Sequence, residues 1–263
     1  MESISQAVWP GLVVHWFIVE SDSTDDSVTE LKRLSHEIAS FEYSSFGPLQ
    51  NSIPRRVDRI AFCRQSAKDK LLALHDEFDY VIVADFDGIL SPLRAGAISD
   101  SVSRLPGATV ITANSIGRYY DLFALRKDGW VDSDYRQLEA QLEALGYSRL
   151  ASKYKSMVSK MIRIRRHQPP IAVASAFGGL AIYKRAAFEK SAYLPSSSDE
   201  CEHVFLNRRI TSNGGSIWID PQLQVAPELR HTFPAWPIFR PFWWFVLAGD
   251  FIRRKLLGRS SHL

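Results

Sequence analysis

The feature that most constrains this chain is an apolar run that ends in two aspartates, at residues 79–88, DYVIVADFDG. Four consecutive apolar residues before Asp85 are typical of a strand that is buried on both faces. Because side chains alternate along an extended chain, Asp85 and Asp87 point to the same side. Two neighbouring carboxylates repel each other unless a cation lies between them or one binds a proton. The stretch therefore predicts a strand that ends at a site for Mg²⁺ or Mn²⁺, with a plain strand-end turn as the alternative.

The residues that precede this stretch have the order strand, polar loop, helix, with which an α/β domain begins. Residues 12–19 are mostly apolar, residues 20–26 are polar, and residues 31–38 carry leucine and isoleucine at helical spacing. Ligands of open α/β sheets bind beyond the carboxyl ends of the strands. Glu20 and Ser21 are therefore predicted nucleotide contacts, and a solvated helix cap is the alternative.

A second helix is predicted from residue 52 to Leu74, with Pro54 in its first turn. It carries several arginines, among them Arg59 and Arg64, beside an apolar stripe. Guanidinium groups match the geometry of phosphate oxygens, so these arginines are candidates to hold a pyrophosphate. A solvated basic face is equally compatible with the pattern.

Two features that follow the Asp85–Asp87 stretch indicate further binding residues. Asp121 follows a predicted strand at residues 109–114 and could accept hydrogen bonds from sugar hydroxyls, although a plain strand-edge loop fits as well. Gly178 and Gly179 lie in a predicted strand, residues 175–183. Such glycines indicate the close approach of a ligand or of another backbone, which packing alone can also require.

The remaining elements are predicted from periodicity and breakers. Helices are expected at residues 98–105, at 137–145 before Gly146, and at 152–167, the last of them basic and amphipathic. A strand is expected at residues 216–220, ended by Pro221. A further helix begins near Glu202, whose carboxylate would remain ionised at the helix N-terminus and able to accept a proton.

The C-terminal residues differ from the rest because they gather aromatic side chains beside a basic cluster. Residues 233–257 contain three tryptophans, four phenylalanines before Asp250, and then Arg253, Arg254 and Lys255. This combination suits a bilayer interface, with a helix docked on the domain or a dimer contact as alternatives. The formal net charge of +3 predicts no nucleic-acid partner, and Cys63 and Cys201 fit a reducing compartment. No signal peptide or membrane-spanning helix is evident in the sequence.

Taken together, these motifs resemble the GT-A type of glycosyltransferase, in which a nucleotide-binding α/β domain presents an Asp-x-Asp after a central strand. The resemblance covers roughly residues 12–227 and is loosely similar to the capsule-associated α-1,3-mannosyltransferases. It differs from the family pattern at Gln65, where an asparagine is usual. The motifs that carry it are Val19-Glu20-Ser21, residues 59–64, Asp85-Phe86-Asp87, Phe177-Gly178-Gly179 and Cys201-Glu202-His203.

The resemblance implies a nucleotide-diphosphate sugar donor, Mn²⁺ or Mg²⁺, and a hydroxyl acceptor. Asp87 would bind the metal directly and Asp85 would contact the metal or the ribose, with His231 as an alternative late metal ligand. The metal would neutralise the leaving diphosphate. Glu202 would be the base in an inverting enzyme, and His203 would orient it or, in a retaining site, help to bind metal or donor.

The predicted donor-binding residues are Glu20, Ser21, Arg59, Arg64, Asp85, Asp121, Gly178 and Gly179. The predicted architecture is a GT-A domain at residues 1–230, with a mixed, mostly parallel sheet flanked by helices, and a membrane-associating amphipathic extension at 231–263. The predicted activity is metal-dependent transfer of a hexose to a lipid-linked or cell-envelope saccharide, in the cytoplasm, peripheral on the inner face of the membrane. A nucleotidyl or phosphoryl transferase and a non-catalytic saccharide-binding protein are the rival predictions, and the sequence does not specify an oligomeric state.

Overall fold

The computed structural model of the protein describes residues 1–74, 78–193, 200–227 and 232–256, and its secondary structure alternates strands with helices. The strands are β1 (Trp16–Glu20), β2 (Phe41–Ser45), β3 (Tyr80–Ala84), β4 (Val110–Ser115), β5 (Ile171–Val173), β6 (Leu180–Lys184) and β7 (Ile217–Val225). The helices are α1 (Glu2–Ala7), α2 (Ser27–Glu37), α3 (Arg56–Ala73), α4 (Ala97–Arg104), α5 (Tyr135–Ala144), α6 (Arg149–Ser156), α7 (Arg185–Glu189), α8 (Glu202–Ser212) and α9 (Arg240–Leu256).

The main sheet has five strands in the order β3-β6-β4-β7-β5. β6 is antiparallel to both of its neighbours, β4 and β7 are parallel, and β5 is antiparallel to β7. Strands β3, β4 and β7 therefore run in the same direction, so that their carboxyl ends lie at one edge of the sheet. The sheet is mixed and flanked by helices, as expected, but among its described strands β4 and β7 form the one parallel pair, so the pairing is less parallel than the sequence predicted. The end of β3, with Asp85, lies at that edge.

A second, two-stranded sheet is formed by β1 and β2, which are parallel. The residues of β1 are all half-buried, and α3 packs against this strand. β2 was absent from the sequence prediction because FEYSS lacks a continuous apolar run. In the described residues β1 pairs with β2 alone and β3 with β6 alone, and both strands line one cleft.

Two apolar clusters cover the faces of the main sheet. One cluster surrounds Tyr183, Val110 and Leu206, and the other surrounds Ile182, Ile111 and Leu180. Because Tyr183 and Ile182 are successive residues of β6, they point to opposite faces and enter different clusters. Burial on both faces explains the continuous apolar run of β6, LAIY.

Several sequence predictions of secondary structure were correct in kind but displaced in their bounds. The first strand begins at Trp16 rather than at Leu12, and Pro54 precedes α3 instead of lying within it. The double glycine lies before β6, which begins only at Leu180. Glu202 and His203 occupy the first turn of α8, as predicted.

The prediction of one basic helix at residues 152–167 was wrong. α6 ends at Ser156, a short 3₁₀ turn covers Val158–Lys160, and the following residues are irregular. Met161 and Ile164 are buried in the core from this irregular segment. Tertiary packing of these two side chains therefore overrides the local preference for helix.

The prediction that Pro221 ends the last strand was also wrong. β7 continues to Val225, while its pairing with β4 shifts register between Ala113 and Asn114. Pro221 lies in this irregularity, where the β4 ladder does not use its missing N–H. β7 is therefore longer than the strand predicted at residues 216–220.

The C-terminal helix α9 packs on the domain with one face. Trp243 is buried against Tyr154, with ring centroids 5.3 Å apart, and its Nε1 donates to the Pro234 carbonyl at 2.7 Å. Asp250 accepts a hydrogen bond from the Ser148 N–H at 2.6 Å. Arg254 stacks on Tyr147, with its Cζ 3.6 Å from the ring centroid. The docked-helix alternative is therefore realised for this face, and the predicted boundary at 230/231 lies among residues outside those described.

No helix within the described ranges is long and apolar enough to cross a bilayer. In α9, which has 17 residues, the apolar sequence is interrupted by Asp250.

Candidate active site

Five side chains from four separate segments meet at the carboxyl edge of β3. Arg64 comes from the middle of α3, Asp85 follows β3, Phe177 precedes β6, and Glu202 and His203 begin α8. α3 contacts both β1 and α8, which carries Arg64 to the start of α8. The motifs that the sequence analysis selected separately are thus brought into contact.

Arg64 is the centre of this cluster. One terminal nitrogen, Nη2, donates to Asp85 Oδ1 at 2.7 Å, and the other, Nη1, contacts both Glu202 Oε1 and His203 Nε2. Its guanidinium also lies over the Phe177 ring, with Cζ 4.8 Å from the centroid. Burial alone would lower the pKa of Arg64, but the carboxylates of Glu202 and Asp85 outweigh this effect and raise it. Arg64 therefore remains a cation with two carboxylate partners.

His203 is held as a neutral ring between aromatic residues. It stacks on Phe177 with centroids 3.8 Å apart, meets Tyr193 edge-on at 5.6 Å, and its Nδ1 lies 3.5 Å from the Tyr183 hydroxyl. Burial and the adjacent Arg64 cation hold the pKa of His203 well below its ordinary value. Because Arg64 can only donate, Nε2 accepts, so the structure favours a positioning role for His203 over proton transfer.

Asp85 and Asp87 lie where the cleft meets solvent. Asp87 is exposed, whereas the Asp85 side chain is 40% exposed and is paired with Arg64. Withdrawal into the cleft raises the pKa of Asp85, Arg64 opposes this rise, and the Asp87 carboxylate adds to it. The two carboxylates are thus close enough to influence each other, as the Asp-x-Asp spacing predicted.

Asp121 joins the site through the double glycine. Its Oδ2 accepts from the Gly178 N–H at 2.8 Å, and its Oδ1 accepts from the Ala124 N–H at 3.3 Å. Burial raises the pKa of Asp121 to about 6, against these two hydrogen bonds, and the charges of Asp85 and Glu202 add to the rise. Asp121 therefore fixes the backbone next to the cleft, and its predicted contact to a sugar stays a prediction.

Gly178 and Gly179 have φ angles of +69° and +84°, in the left-handed region. A Cβ on Gly178 would lie 2.4 Å from the Ala113 carbonyl oxygen, and one on Gly179 would lie 2.1 Å from Ile89 Cδ1. The close approach that the sequence indicated is therefore an approach to the protein's own atoms. With the backbone in this position, the Asp85 N–H donates a hydrogen bond to the Gly179 carbonyl, with an N–O distance of 2.9 Å.

The residues predicted from the first strand and from Arg59 form the opposite wall of the cleft. Ser45 donates to Glu20, and the other Glu20 oxygen is buried without a hydrogen-bond partner. Arg59 pairs with Asp22 at 3.0 Å and donates to the carbonyls of Ile53 and Pro54. Arg59 thus links the loop after β1 to the residues that precede α3. Its contact to a pyrophosphate stays a prediction.

Ser21 lies on the same wall, where it contacts Asp22 and the Cys63 thiol. The cleft between the two walls has a volume of about 1870 Å³ and is lined by β1, β3, α3 and the cluster around Arg64. This volume exceeds the roughly 300–1,000 Å³ of ordinary small-ligand sites.

A metal ion would find two carboxylates here. Among the described residues no three His, Cys, Asp or Glu side chains gather into a group that could hold a metal, and His231 lies outside the described residues. Asp85 and Asp87 nevertheless fit Mg²⁺ or Mn²⁺, because Mg²⁺ is usually held by one or two carboxylates together with substrate phosphates and water. The donor set fits an ion that completes its coordination with a bound diphosphate.

Sequence reasoning missed Tyr193 and Tyr183, which face His203. Neither residue lies in a motif, so no local signal separates them from ordinary core tyrosines. Gln65 gave a partial signal: its side-chain oxygen accepts from the Tyr193 N–H at 2.8 Å. Gln65 thus fixes the backbone at Tyr193.

Comparison with known proteins gives little further information. No family model matches the chain. No curated protein matches it either. Among solved structures, the chain is similar to A197 from STIV with a TM-score of 0.37 and 14% identity, over 80% of this chain and 82% of that one.

Proposed function

We propose that the protein is a glycosyltransferase that transfers a sugar from a nucleotide-diphosphate donor to a hydroxyl of a lipid-linked or cell-envelope saccharide. The observation that carries the proposal is the cluster of Arg64, Asp85 and Glu202 in a cleft of about 1870 Å³. Asp85 and Asp87 would hold Mn²⁺ or Mg²⁺, which would neutralise charge on the departing diphosphate.

Arg64 has two competing sets of partners in this proposal. In the structure it pairs with Glu202 and Asp85. A diphosphate offers oxygens that suit the guanidinium fork, so binding of the donor draws Arg64 away from Glu202. Glu202 then loses its cationic partner and can accept a proton.

In an inverting transfer the proton of the acceptor hydroxyl passes to Glu202. A bond forms between the acceptor oxygen and the anomeric carbon of the sugar, and the bond from that carbon to the diphosphate oxygen breaks. His203 is neutral and is held in place by Phe177. It positions the Arg64 guanidinium, which pairs with the carboxylates or with the diphosphate. The nucleoside diphosphate leaves with the bonding electrons.

The proposal is tested by thermal denaturation with a panel of nucleotide-diphosphate sugars, with and without Mn²⁺. A ligand at 100 times its Kd stabilises the native state by about 2.7 kcal/mol. We expect a shift that requires both sugar nucleotide and Mn²⁺, that Asp87→Ala abolishes, and that Asp26→Ala retains, because Asp26 is exposed and makes no side-chain cap hydrogen bond.

Other outcomes identify the rival functions. Stabilisation by nucleoside triphosphates and not by sugar nucleotides would indicate a nucleotidyl or phosphoryl transferase. Stabilisation by free saccharides, without metal and unchanged in Asp87→Ala, would indicate a saccharide-binding protein. Either result would refute the proposed transfer.

A further inference from the structure

The outer face of α9 exposes a large set of apolar side chains. The side chains on this face are between 47% and 81% exposed and include no acid: they are Phe242, Trp244, Phe245, Phe251, Ile252 and Leu256. Monomeric soluble proteins rarely expose so large a contiguous apolar patch unless it contacts a partner or a membrane. We refer to these six residues as the outer face.

The polar groups of α9 are segregated from the outer face. Asp250 is buried and accepts from Ser148, and Arg254 is buried against Tyr147. Successive helical residues are about 100° apart, so Phe245 and Ile252 lie almost opposite the docked Trp243 and Asp250. The helix is therefore attached to the domain by one side, and its other side is apolar apart from Lys255.

Basic residues lie beside and among the outer-face residues. Arg240 and Lys255 of α9 are exposed, whereas Arg253 donates to the Gly146 carbonyl at 2.6 Å and to Asp250 at 3.1 Å. The adjacent helix α6, which packs against α9, carries Arg149, Lys153 and Lys155 and no acid. This distribution matches an anionic surface that also accepts apolar side chains.

Neither a membrane span nor a second copy of the chain satisfies this surface. Seventeen helical residues extend about 26 Å, which is shorter than the hydrocarbon core of about 30 Å, and Asp250 lies within them. A two-fold contact would bring the outer faces of two copies together, and with them the basic residues at their borders. No acid on that face would compensate for this repulsion.

We propose that α9 docks the protein on an anionic phospholipid bilayer. The helix lies parallel to the membrane surface, with the outer face among the acyl-chain ends and Arg240 and Lys255 at the phospholipid headgroups. Trp244, in contact with Phe245 at a centroid distance of 5.0 Å, lies at the depth that aromatic residues prefer. This inference is independent of the proposed sugar transfer, since it rests on α9 and α6 alone.

The experiment is flotation of the full-length protein with vesicles of phosphatidylcholine alone and of phosphatidylcholine with 30% phosphatidylglycerol. We expect binding to the anionic vesicles. Phe245→Glu and Ile252→Glu should each lower the partition coefficient about tenfold or more, because each removes one apolar side chain that the bilayer would bury. The control Val28→Glu, at an exposed apolar residue in the first turn of α2, should bind as the unmodified protein does.

A second variant tests the basic border without changing the outer face. Arg240→Glu with Lys255→Glu should remove the preference for anionic over neutral vesicles and leave the melting temperature unchanged. Failure of the unmodified protein to float, or binding of Phe245→Glu and Ile252→Glu as strong as that of the unmodified protein, would overturn the inference. A dimer in solution that Phe245→Glu converts into a monomer would overturn it as well, and would identify the outer face as a contact between copies.

Discussion

At the scale of single residues, Arg64 joins two carboxylates that would otherwise repel each other. Glu202 is almost fully buried, so removal of the cation leaves its charge without a partner in a region of low polarity. We expect Arg64→Ala to lower the free energy of unfolding by about 3–5 kcal/mol. Urea denaturation measures this change, and Arg56→Ala, at an exposed arginine of the same helix, is the control.

Urea denaturation of a double variant separates the cost of an unpaired charge from the cost of lost packing in the free energy of unfolding. Arg64→Met with Glu202→Gln should cost less than the sum of the two single changes, because neither partner is then left as an unpaired charge. Strict additivity would contradict the role assigned to the Arg64–Glu202 pair.

Asp121 gives a prediction for the pH dependence of stability. Its pKa is raised to about 6 in the folded protein from 3.8, so the folded state binds more protons than the unfolded state between these values. The contribution of Asp121 to stability is therefore greatest below pH 4 and is lost as the pH rises through 6. Its full size corresponds to about 3 kcal/mol.

We expect Asp121→Asn to remove this pH dependence. Urea denaturation between pH 4 and pH 7 should show the stability of the unmodified protein decreasing relative to that of the variant. Parallel curves for the two proteins would exclude a raised pKa for Asp121.

At the scale of elements, the segment before β6 depends on Gly178. Its φ of +69° is one that residues with a Cβ rarely adopt. A Cβ there would also collide with the Ala113 carbonyl of β4. Gly178→Ala should therefore destabilise the protein by several kcal/mol, since backbone must move. Gly47→Ala is the matched control: its φ is +59°, but its Cβ would meet nothing within 4 Å, so about 1–2 kcal/mol is expected.

Thermal or urea denaturation of the two alanine variants checks this difference. Equal losses would mean that backbone strain alone, and not the contact with β4, requires the glycine. Activity toward a donor should fall in Gly178→Ala only, because the displaced segment carries the Phe177 ring under Arg64.

The sequence was informative about elements and uninformative about their contacts. β3 was predictable because its apolar run changes to polar residues at Asp85, β4 because it begins with β-branched residues, and the start of α8 because Glu202 opens a helical pattern. The pairing of Arg64 with Glu202 joins residues 138 positions apart, which no local pattern encodes. The end of α6 could not be predicted either, because Met161 and Ile164 enter the core in an irregular conformation.

At the scale of the whole molecule, α9 contributes to the core of the domain with one side and carries the outer face on the other. Trp243 belongs to the main apolar cluster, and Val246 packs against two clusters. Deletion of residues 233–263 should therefore lower the melting temperature by several degrees or more, since it uncovers the core beside α6. Differential scanning calorimetry measures this loss, and an unchanged melting temperature would show that α9 contributes nothing to the domain.

The separation of β1 and β2 from the five-stranded sheet has a consequence for cooperativity. No backbone ladder among the described residues joins the two sheets, so one wall of the cleft can open without breaking hydrogen bonds of the other. Amide protons of β1 and β2 should then exchange with deuterium at a lower opening free energy than those of β4 and β6. A donor that bridges the cleft would couple the two sheets, and the gap between their exchange rates would report on its occupancy.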